Sequence, residues 1–270
     1  MKNLFSVQDK VIVITGAAGV LGTSMVHHFA EQGAKVVILD RNEEAGRRLG
    51  EEVKAEGGEV MFLYTDVLDK QVLEGNYTEI MARYGRIDVL INGAGGNMAG
   101  ATIAPDKTIF DLDIEAVRKV VDLNLFGIIL PTMTFTRAMI EQKQGSIINI
   151  SSESAIRPLT RVAGYGVAKA AVTNFTKYMC GELATKYGDG LRVNAIAPGF
   201  FITEQNRTLL LNPDGSYTER SKTILAHTPY GRFGEPSELL GTLQWLASDA
   251  SKFVSGTMTV IDGGFDAFSI

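Results

Sequence analysis

Short apolar runs alternate along the chain with longer segments in which apolar residues recur at helical spacing. The first run, residues 11–15, is β-branched and contains no polar alternation, which is typical of a strand that is covered on both faces. A helical pattern over residues 20–32 follows, and the next strand pattern covers residues 35–39. Strand, helix and strand in this order predict a right-handed βαβ unit within a parallel sheet.

The same alternation continues to the end of the chain and predicts a doubly wound α/β Rossmann fold. We expect a single domain over residues 1–270 with a mainly parallel sheet. Pro131 lies inside one long helical pattern and should bend or interrupt it. The predicted helices cover residues 42–56, 114–143, 163–187 and 236–247, and the further strands cover residues 60–64, 87–91, 146–150, 192–196 and 258–261.

Residues 204–230 interrupt this pattern with a polar and irregular stretch. Asn212, Pro213, Asp214 and Gly215 form a strong turn signal within it. A long insertion beside the expected cleft predicts a mobile substrate lid. His227 lies in this stretch, and we interpret it as a residue of lid packing or of an interface rather than as a catalyst.

A glycine-rich turn follows the first strand directly. Gly16 and Gly22 bound a run of small residues that allows backbone N–H groups to approach a phosphate at the next helix N-terminus. Asp40 ends the second strand about twenty residues later, where a carboxylate can bond both ribose hydroxyls of an adenosine. A 2′-phosphate would be repelled there. The order of strand, glycine turn, helix, strand and acid predicts a dinucleotide site.

Two further strand ends carry candidate ligand groups. The Asp66 carboxylate could accept from an adenine amino group, or it could cap the helix that starts near Asp69. The small residues from Asn92 to Asn97 suggest a backbone that passes close to a ligand at the carboxyl edge of the sheet.

Tyr165 and Lys169 are four residues apart in the helical pattern of residues 163–187, so they share one face. A neighbouring cation favours the phenolate of a tyrosine and makes proton exchange with a substrate hydroxyl feasible. Ser152 ends the strand before them, and its hydroxyl could orient a carbonyl or only cap the strand end. The pattern therefore points to acid–base chemistry on an alcohol or ketone.

Composition narrows the classes of partner. The chain has 45% hydrophobic and 21% charged residues, and its net charge of −5 argues against a nucleic acid or an anionic membrane. No uninterrupted apolar run reaches membrane-spanning length. Cys180, the one cysteine, cannot form an internal disulfide. We expect a cytoplasmic protein without a metal cluster.

These motifs together resemble the short-chain dehydrogenase/reductase family, and the likeness covers essentially the whole chain. One departure is visible: the family pattern places a glycine where Val20 stands, whereas this chain has Gly19. The resemblance rests on Thr15–Gly16 through Gly22, Asp66–Val67, Asn92 through Gly95, Asn124, Ser152, Tyr165 with Lys169, Pro198–Gly199 with Thr203, and Gly231 through Pro236.

The resemblance implies a role for each of these residues. Tyr165 would be the general acid/base, Ser152 would orient the reacting oxygen, and Asn124 would hold a water in a proton relay. Lys169 would bond the nicotinamide ribose and lower the Tyr165 pKa. The implied cofactor-binding residues are Gly16, Gly19, Val20, Leu21, Gly22, Asp40, Arg41, Asp66, Val67, Asn92, Ala94, Gly95, Tyr165, Lys169, Pro198, Gly199 and Thr203.

Asp40 favours NAD over NADP, although the neighbouring Arg41 could serve a 2′-phosphate. The C-terminal glycine-rich end and the long helices also resemble family members that assemble as homotetramers. A catalytically silent dinucleotide-binding regulator is the alternative from another class. The joint presence of Asn124, Ser152, Tyr165 and Lys169 argues against it.

Several segments are similar to the D-mannonate oxidoreductase (fructuronate reductase) branch of the family, among them the run Pro198 through Arg207 and the ending Asp262 through Phe265. This similarity implies a small sugar-acid substrate, with D-mannonate and D-fructuronate the favoured pair. Gluconate 5-dehydrogenase and 3-oxoacyl reductase are the sister alternatives. A sugar acid needs a cationic or amide anchor, for which the candidates are Asn97, Arg157, Arg161, Gln205, Asn206 and Arg207.

Overall fold

The computed structural model describes residues 3–203 and 206–267. Within these residues the chain forms one seven-stranded parallel sheet with the strand order β3-β2-β1-β4-β5-β6-β7. The strand order reverses between β1 and β4, which is where open α/β sheets bind ligands beyond the strand carboxyl ends. The strands are β1 (Val11–Thr15), β2 (Lys35–Asp40), β3 (Glu59–Tyr64), β4 (Val89–Asn92), β5 (Gly145–Ile150), β6 (Leu191–Pro198) and β7 (Met258–Ile261).

Helices cover both faces of this sheet, as the continuous apolar strands predict. In β1, Ile12 and Ile14 face one hydrophobic cluster, while Val11 and Val13 face the other, because successive strand residues point to opposite faces. The helices are α1 (Val20–Glu31), α2 (Glu43–Ala55), α3 (Lys70–Tyr84), α4 (Ile114–Val121), α5 (Gly127–Gln142), α6 (Ala163–Tyr187), α7 (Arg207–Leu210), α8 (Glu219–Ala226) and α9 (Leu240–Ala247). The predicted Rossmann fold is confirmed.

The long helical stretch 114–143 is irregular at a place that the sequence did not predict. Residues Asp122–Phe126 form a π-helical turn between α4 and α5, whereas Pro131 lies buried inside α5. Asn124 Nδ2 donates to the Val120 carbonyl at 2.8 Å, so a side-chain amide serves as a hydrogen-bond donor to a carbonyl of the preceding turn. The expected interruption at Pro131 is wrong in position, since the wider turn lies at Asn124.

By length and composition alone, the stretch Ile114–Gln142 is long and apolar enough to cross a membrane. Its most apolar part is 56% buried within the fold. Phe135, Ala138 and Met139 are fully buried in the cluster beneath the sheet, so the apolar side of α5 is used for packing in the core.

The polar stretch predicted as a lid, residues 204–230, contains regular structure where it is described. Its described part, residues 206–230, contains α7 and α8, joined across a bridge between Leu211 and Tyr217. The predicted turn is present: the Gly215 N–H donates to the Asn212 carbonyl at 2.9 Å, and Gly215 has φ +84°. The apolar residues Leu210, Ile224 and Phe233 form a separate small core, which gives the lid its own packing.

Candidate active site

The glycine turn after β1 is built from backbone that excludes side chains. Gly16 has φ +66°, and a Cβ there would lie 2.7 Å from Ala94 Cα. A Cβ on Gly22 would lie 2.4 Å from the Gly16 carbonyl oxygen, whereas one on Gly19 would meet the same oxygen at 3.4 Å. Gly16 and Gly22 are therefore required, while Gly19 with φ −78° needs no glycine.

Val20, which stands where the family pattern has a glycine, is the first residue of α1. Gly19 is the N-cap of α1, and Val20 and Leu21 form its first turn, which has no side-chain cap and no acidic residue. The N–H groups of that turn are therefore available to an anion such as a phosphate. The valine leaves the helix start in place.

Asp40 is tied to the glycine turn. Its Oδ2 accepts from the Ala18 N–H and its Oδ1 from the Asn42 N–H, both at 2.9 Å. The predicted ribose acid thus stands beside the predicted phosphate turn, and each oxygen retains a lone pair for a further donor. Arg41 is exposed next to it.

The segment after β4 passes close to the same place. Thr15 Oγ1 accepts from the Gly93 and Ala94 N–H groups, each at 3.1 Å. A Cβ on Gly95 would lie 2.7 Å from Asn124 Oδ1 and 3.3 Å from Lys169 Nζ. This close approach explains the small residues. Sequence reasoning missed the Thr15 hydroxyl, although the polar last residue of β1 was a usable signal.

Asn92 does not present its side chain to the cleft. It is fully buried, and its Nδ2 donates to Thr132 Oγ1 at 2.9 Å and to Asn149 Oδ1 at 2.8 Å. Its Nδ2 is therefore engaged by α5 and β5, whereas its buried Oδ1 has no hydrogen-bond partner among the described residues, and the cofactor contact of Asn92 stays a prediction.

The two alternatives for Asp66 are resolved in part. Asp69 caps α3, since its Oδ1 accepts from the Gln71 and Val72 N–H groups, so the capping alternative for Asp66 is wrong. Asp66 Oδ1 instead accepts from the Leu68 N–H at 2.9 Å, and Asp66 remains half-buried at the strand edge. The next residue, Val67, is buried and packs against Gly127.

Asn124 is held at the centre of the π turn. Its side chain is fully buried, and Nδ2 donates to the Gly96 carbonyl at 2.6 Å as well as to Val120. Its Oδ1 accepts from the Gly96 N–H at 3.0 Å. The side chain thus positions the segment after β4, and the predicted water relay stays a prediction.

Ser152, Tyr165 and Lys169 come together at the carboxyl end of β5. Ser152 Oγ accepts from the Ser154 N–H at 3.2 Å, so the hydroxyl does cap the strand end. The Ser152 hydroxyl also lowers the pKa of the neighbouring Tyr165 phenol. Lys169 is buried, its Nζ donates to the Ile150 carbonyl at 2.8 Å, and it lies 5.6 Å from the Tyr165 ring centroid.

Burial dominates the acid–base properties of this group. It raises the pKa of Tyr165, against a smaller lowering by the Ser152 hydrogen bond. It lowers the pKa of Lys169 to about 8. The expected lowering of the Tyr165 pKa by Lys169 is therefore not the main effect here. At neutral pH the phenol keeps its proton, which is the form that can donate to a ketone oxygen.

The segment after β6 lies against the C-terminal end. The Gly199 N–H donates to the Ile261 carbonyl at 2.9 Å, and a Cβ on Gly199 would lie 2.6 Å from Asp262 Cβ. Pro198 ends β6. The Thr203 N–H donates to Asn206 Oδ1 at 2.8 Å. These hydrogen bonds therefore fix the backbone of the segment that carries the predicted nicotinamide contacts.

Two of the predicted substrate anchors are already engaged. Arg157 Nε donates to Asp266 Oδ1 at 2.8 Å, and Asn206 Nδ2 donates to the Phe201 carbonyl at 2.7 Å. The Arg157 contact joins segments 109 residues apart and the Asn206 contact is local, and the role of both residues as substrate anchors stays a prediction. Gln205 lies outside the described residues.

The other predicted substrate anchors differ in burial and in hydrogen bonding. Asn97 Nδ2 donates to Thr102 Oγ1 at 2.8 Å, while its buried Oδ1 has no hydrogen-bond partner among the described residues. Arg207 is exposed at the start of α7, and Arg161 is half-buried just before α6. His227 Nδ1 contacts the Thr223 carbonyl of its own helix at 2.8 Å, in keeping with a lid residue.

The glycine turn after β1 and the group of Ser152, Tyr165 and Lys169 after β5 thus lie at the same edge of the sheet. The short chain dehydrogenase family model matches residues 10–213. The uncharacterized oxidoreductase UxuB of Bacillus subtilis (strain 168) is 43% identical over 96% of each chain. The 3-oxoacyl-[acyl-carrier-protein] reductase of Synechocystis sp. (strain ATCC 27184 / PCC 6803 / Kazusa) is 33% identical over 96% of this chain and 98% of its own.

Solved structures agree with this relationship. A proposed D-mannonate oxidoreductase from Haemophilus influenza, with bound NAD, has a TM-score of 0.91 and 39% identity over 99% of each chain. A gluconate 5-dehydrogenase from Burkholderia cenocepacia J2315, in complex with NADP and tartrate, has a TM-score of 0.88 and 33% identity over 98% of each chain. The chain belongs to the short-chain dehydrogenase family, and it is an oxidoreductase that acts on CH–OH groups.

Proposed function

We propose that the protein interconverts the hydroxyl and ketone forms of a sugar acid with NAD, and that D-mannonate and D-fructuronate are the pair. The observation that carries the reaction type is the cluster of Ser152, Tyr165 and buried Lys169 at the carboxyl end of β5, in which Lys169 Nζ lies 5.6 Å from the Tyr165 ring centroid. The glycine turn and Asp40 fit a dinucleotide, because Gly16 and Gly22 leave no room for side chains. Asp40 supports NAD as the cofactor, and so does the structural relative with bound NAD. NADP is the second candidate cofactor, because two other structural relatives contain NADP.

A bound nicotinamide dinucleotide supplies the hydride exchange with the carbinol carbon. The chain handles the proton. In reduction, Tyr165 donates its phenol proton to the ketone oxygen and Ser152 orients that oxygen. The Lys169 ammonium, 5.6 Å from the Tyr165 ring centroid, stabilises the resulting phenolate electrostatically. In oxidation the same phenolate accepts the hydroxyl proton.

The substrate class is supported by relatives rather than by contacts. One structural relative is a proposed D-mannonate oxidoreductase, and another is a gluconate 5-dehydrogenase that binds tartrate, itself a hydroxy acid. The arginines near the lid offer charge for a carboxylate. Gluconate 5-dehydrogenase activity is the second candidate, because two structural relatives are described with it.

The assembly and location are proposed on similar grounds. Exposed apolar side chains on α4, α5 and α6, among them Ile114, Met133 and Tyr178, supply surface for helix pairing, which supports a homotetramer. We place the enzyme in the cytoplasm with a small-molecule substrate.

The test is the oxidation of NADH by the purified protein with D-fructuronate, 5-ketogluconate and an acetoacetyl thioester at matched concentrations. Preference for D-fructuronate, expressed as kcat/KM, supports the proposed pair. Preference for 5-ketogluconate moves the protein to the second candidate, and preference for the thioester contradicts the sugar-acid class. NADH binding without turnover of any compound would indicate a silent regulator.

A further inference from the structure

Three segments meet at the entrance to α6. The carbonyl of Arg161 accepts from the Ile103 N–H at 3.0 Å, which joins the segment after β4 to the loop before α6. From α8 of the lid, Arg220 Nη1 donates to Thr160 Oγ1 at 3.1 Å and Nη2 to the Thr160 carbonyl at 3.4 Å. Arg220 therefore contacts the residue that precedes Arg161. Arg161 itself lies four residues before Tyr165 along the chain.

The backbone at Arg161 is strained. Its φ of +75° lies in the left-handed region, which costs a non-glycine residue on the order of 1–3 kcal/mol. A glycine would remove this cost, yet the position carries a long cationic side chain. Backbone strain that a fold retains at a non-glycine residue is a pointer to function.

Neither guanidinium group forms an ion pair with a described carboxylate, whereas several other arginines do. Arg157 pairs with Asp266 and Arg232 with Glu238. Around Arg161 and Arg220, no carboxylate of residues 3–203 or 206–267 lies within the 4.0 Å ion-pair distance. Burial and the charge of Arg161 both lower the pKa of Arg220, so the two cations repel each other. A bound anion between them would relieve this repulsion.

We propose that Arg161 and Arg220 form the binding site for the substrate carboxylate, an inference that rests on the proposed sugar-acid function. Two planar forks can hold one carboxylate by several charge-assisted hydrogen bonds. Because Arg161 precedes the helix of Tyr165 and Arg220 belongs to the lid, an acidic substrate joins the lid to the catalytic helix. A neutral ketose or a thioester lacks this link, so the pair sets specificity for acids.

The experiment compares Arg161→Gly and Arg220→Gln with the wild type, using D-fructuronate and the neutral ketose D-fructose as substrates. Arg161→Gly removes the charge and the strain together, so the fold should keep or gain thermal stability. We expect KM for D-fructuronate to rise at least about tenfold in each variant with kcat within about threefold, and kcat/KM for D-fructose to change little. Arg48→Gln, an exposed arginine on α2, is the charge-matched control and should keep the wild-type KM.

Three results distinguish failure of the carboxylate site from failure of the proposed function. If the wild type reduces D-fructuronate but both variants keep its KM within about twofold, the carboxylate lies elsewhere and the function stands. If both variants lose D-fructose and D-fructuronate turnover equally, the arginines only shape the lid, and the inference is again wrong. If the wild type reduces no sugar acid, the proposed function itself fails. Calorimetric binding of sodium tartrate, weakened in both variants, provides a readout that is independent of turnover.

Discussion

Asn124 and Gly96 bind each other through two hydrogen bonds, from Asn124 Nδ2 to the Gly96 carbonyl and from the Gly96 N–H to Asn124 Oδ1. This exchange fixes the segment after β4 against the π turn of the long helix. Because a Cβ on Gly95 would lie 3.3 Å from Lys169 Nζ, the position of that segment also affects the space around Lys169. The relationship links the irregular helix to the site.

Replacing Asn124 with alanine should therefore disturb both stability and activity. The change leaves the carbonyls of Gly96 and Val120 and the Gly96 N–H without their buried partner, at a cost of about 1–3 kcal/mol in the free energy of unfolding. We also expect kcat to fall. Urea unfolding and steady-state kinetics measure the two effects, with exposed Asn174→Ala on α6 as the control. An unchanged unfolding midpoint would show that the amide is not a structural link.

Alanine at Gly22 and at Gly19 should have opposite outcomes. The added Cβ would lie 2.4 Å from the Gly16 carbonyl oxygen in the first case and 3.4 Å in the second. We expect Gly22→Ala to lose about 1–3 kcal/mol of stability and to weaken NADH binding, while Gly19→Ala keeps both. Thermal unfolding and fluorescence titration with NADH provide the comparison. Equal behaviour of the two variants would contradict the proposed packing of the turn.

The Asp40→Asn variant tests cofactor choice. It keeps the shape of the side chain and an oxygen acceptor, but it removes the charge that opposes a 2′-phosphate. The ratio of kcat/KM for NADH over NADPH should fall by about tenfold or more. Arg41→Ala is the neighbouring control and should leave NADH use unchanged. A ratio that does not move in Asp40→Asn means that the carboxylate does not face the ribose.

Glu153 gives a prediction about pH. Its side chain is 1% exposed, and neither carboxylate oxygen has a hydrogen-bond partner among the described residues. Burial, with Asp266 and Asp262 nearby, raises its pKa to about 7 against the opposing effect of Arg157. The folded protein then holds this proton more tightly than the unfolded chain, so the free energy of unfolding falls as pH rises through about 7.

Glu153→Gln should remove this dependence. At about pH 8 the variant should be more stable than the wild type by up to about 3 kcal/mol, and below about pH 5 the two should be similar. Urea unfolding across this range measures the difference. Parallel curves for the two proteins would show that Glu153 ionises normally in the folded state.

Local patterns were sufficient for most of the fold. β1 and β7 begin and end where the apolar runs do, because buried parallel strands record their limits in composition. The helix with Tyr165 and Lys169 was equally visible. The pair of hydrogen bonds between Asn124 and Gly96 was not visible, because it joins residues 28 positions apart. The helical pattern therefore pointed to Pro131 as the irregular position.

Contacts between distant segments account for what the sequence did not reveal of the site. Arg157 meets Asp266, which lies 109 residues further along the chain, and Arg220 meets Thr160, 60 residues earlier. No periodicity connects such pairs. Likewise, the burial that raises the Tyr165 pKa is a property of the assembled fold, whereas the four-residue spacing from Lys169 only indicated an attractive charge.

The most direct test of the mechanism is the turnover of Tyr165→Phe with NADH and D-fructuronate, beside Tyr178→Phe as a control on the exposed side of the same helix. Tyr165→Phe should fold, bind NADH as the wild type does, and lose kcat by roughly 100- to 10,000-fold, because no phenol proton reaches the ketone oxygen. Tyr178→Phe should keep wild-type activity. Near-normal kcat in Tyr165→Phe, with NADH binding intact, would contradict the proposed acid–base role.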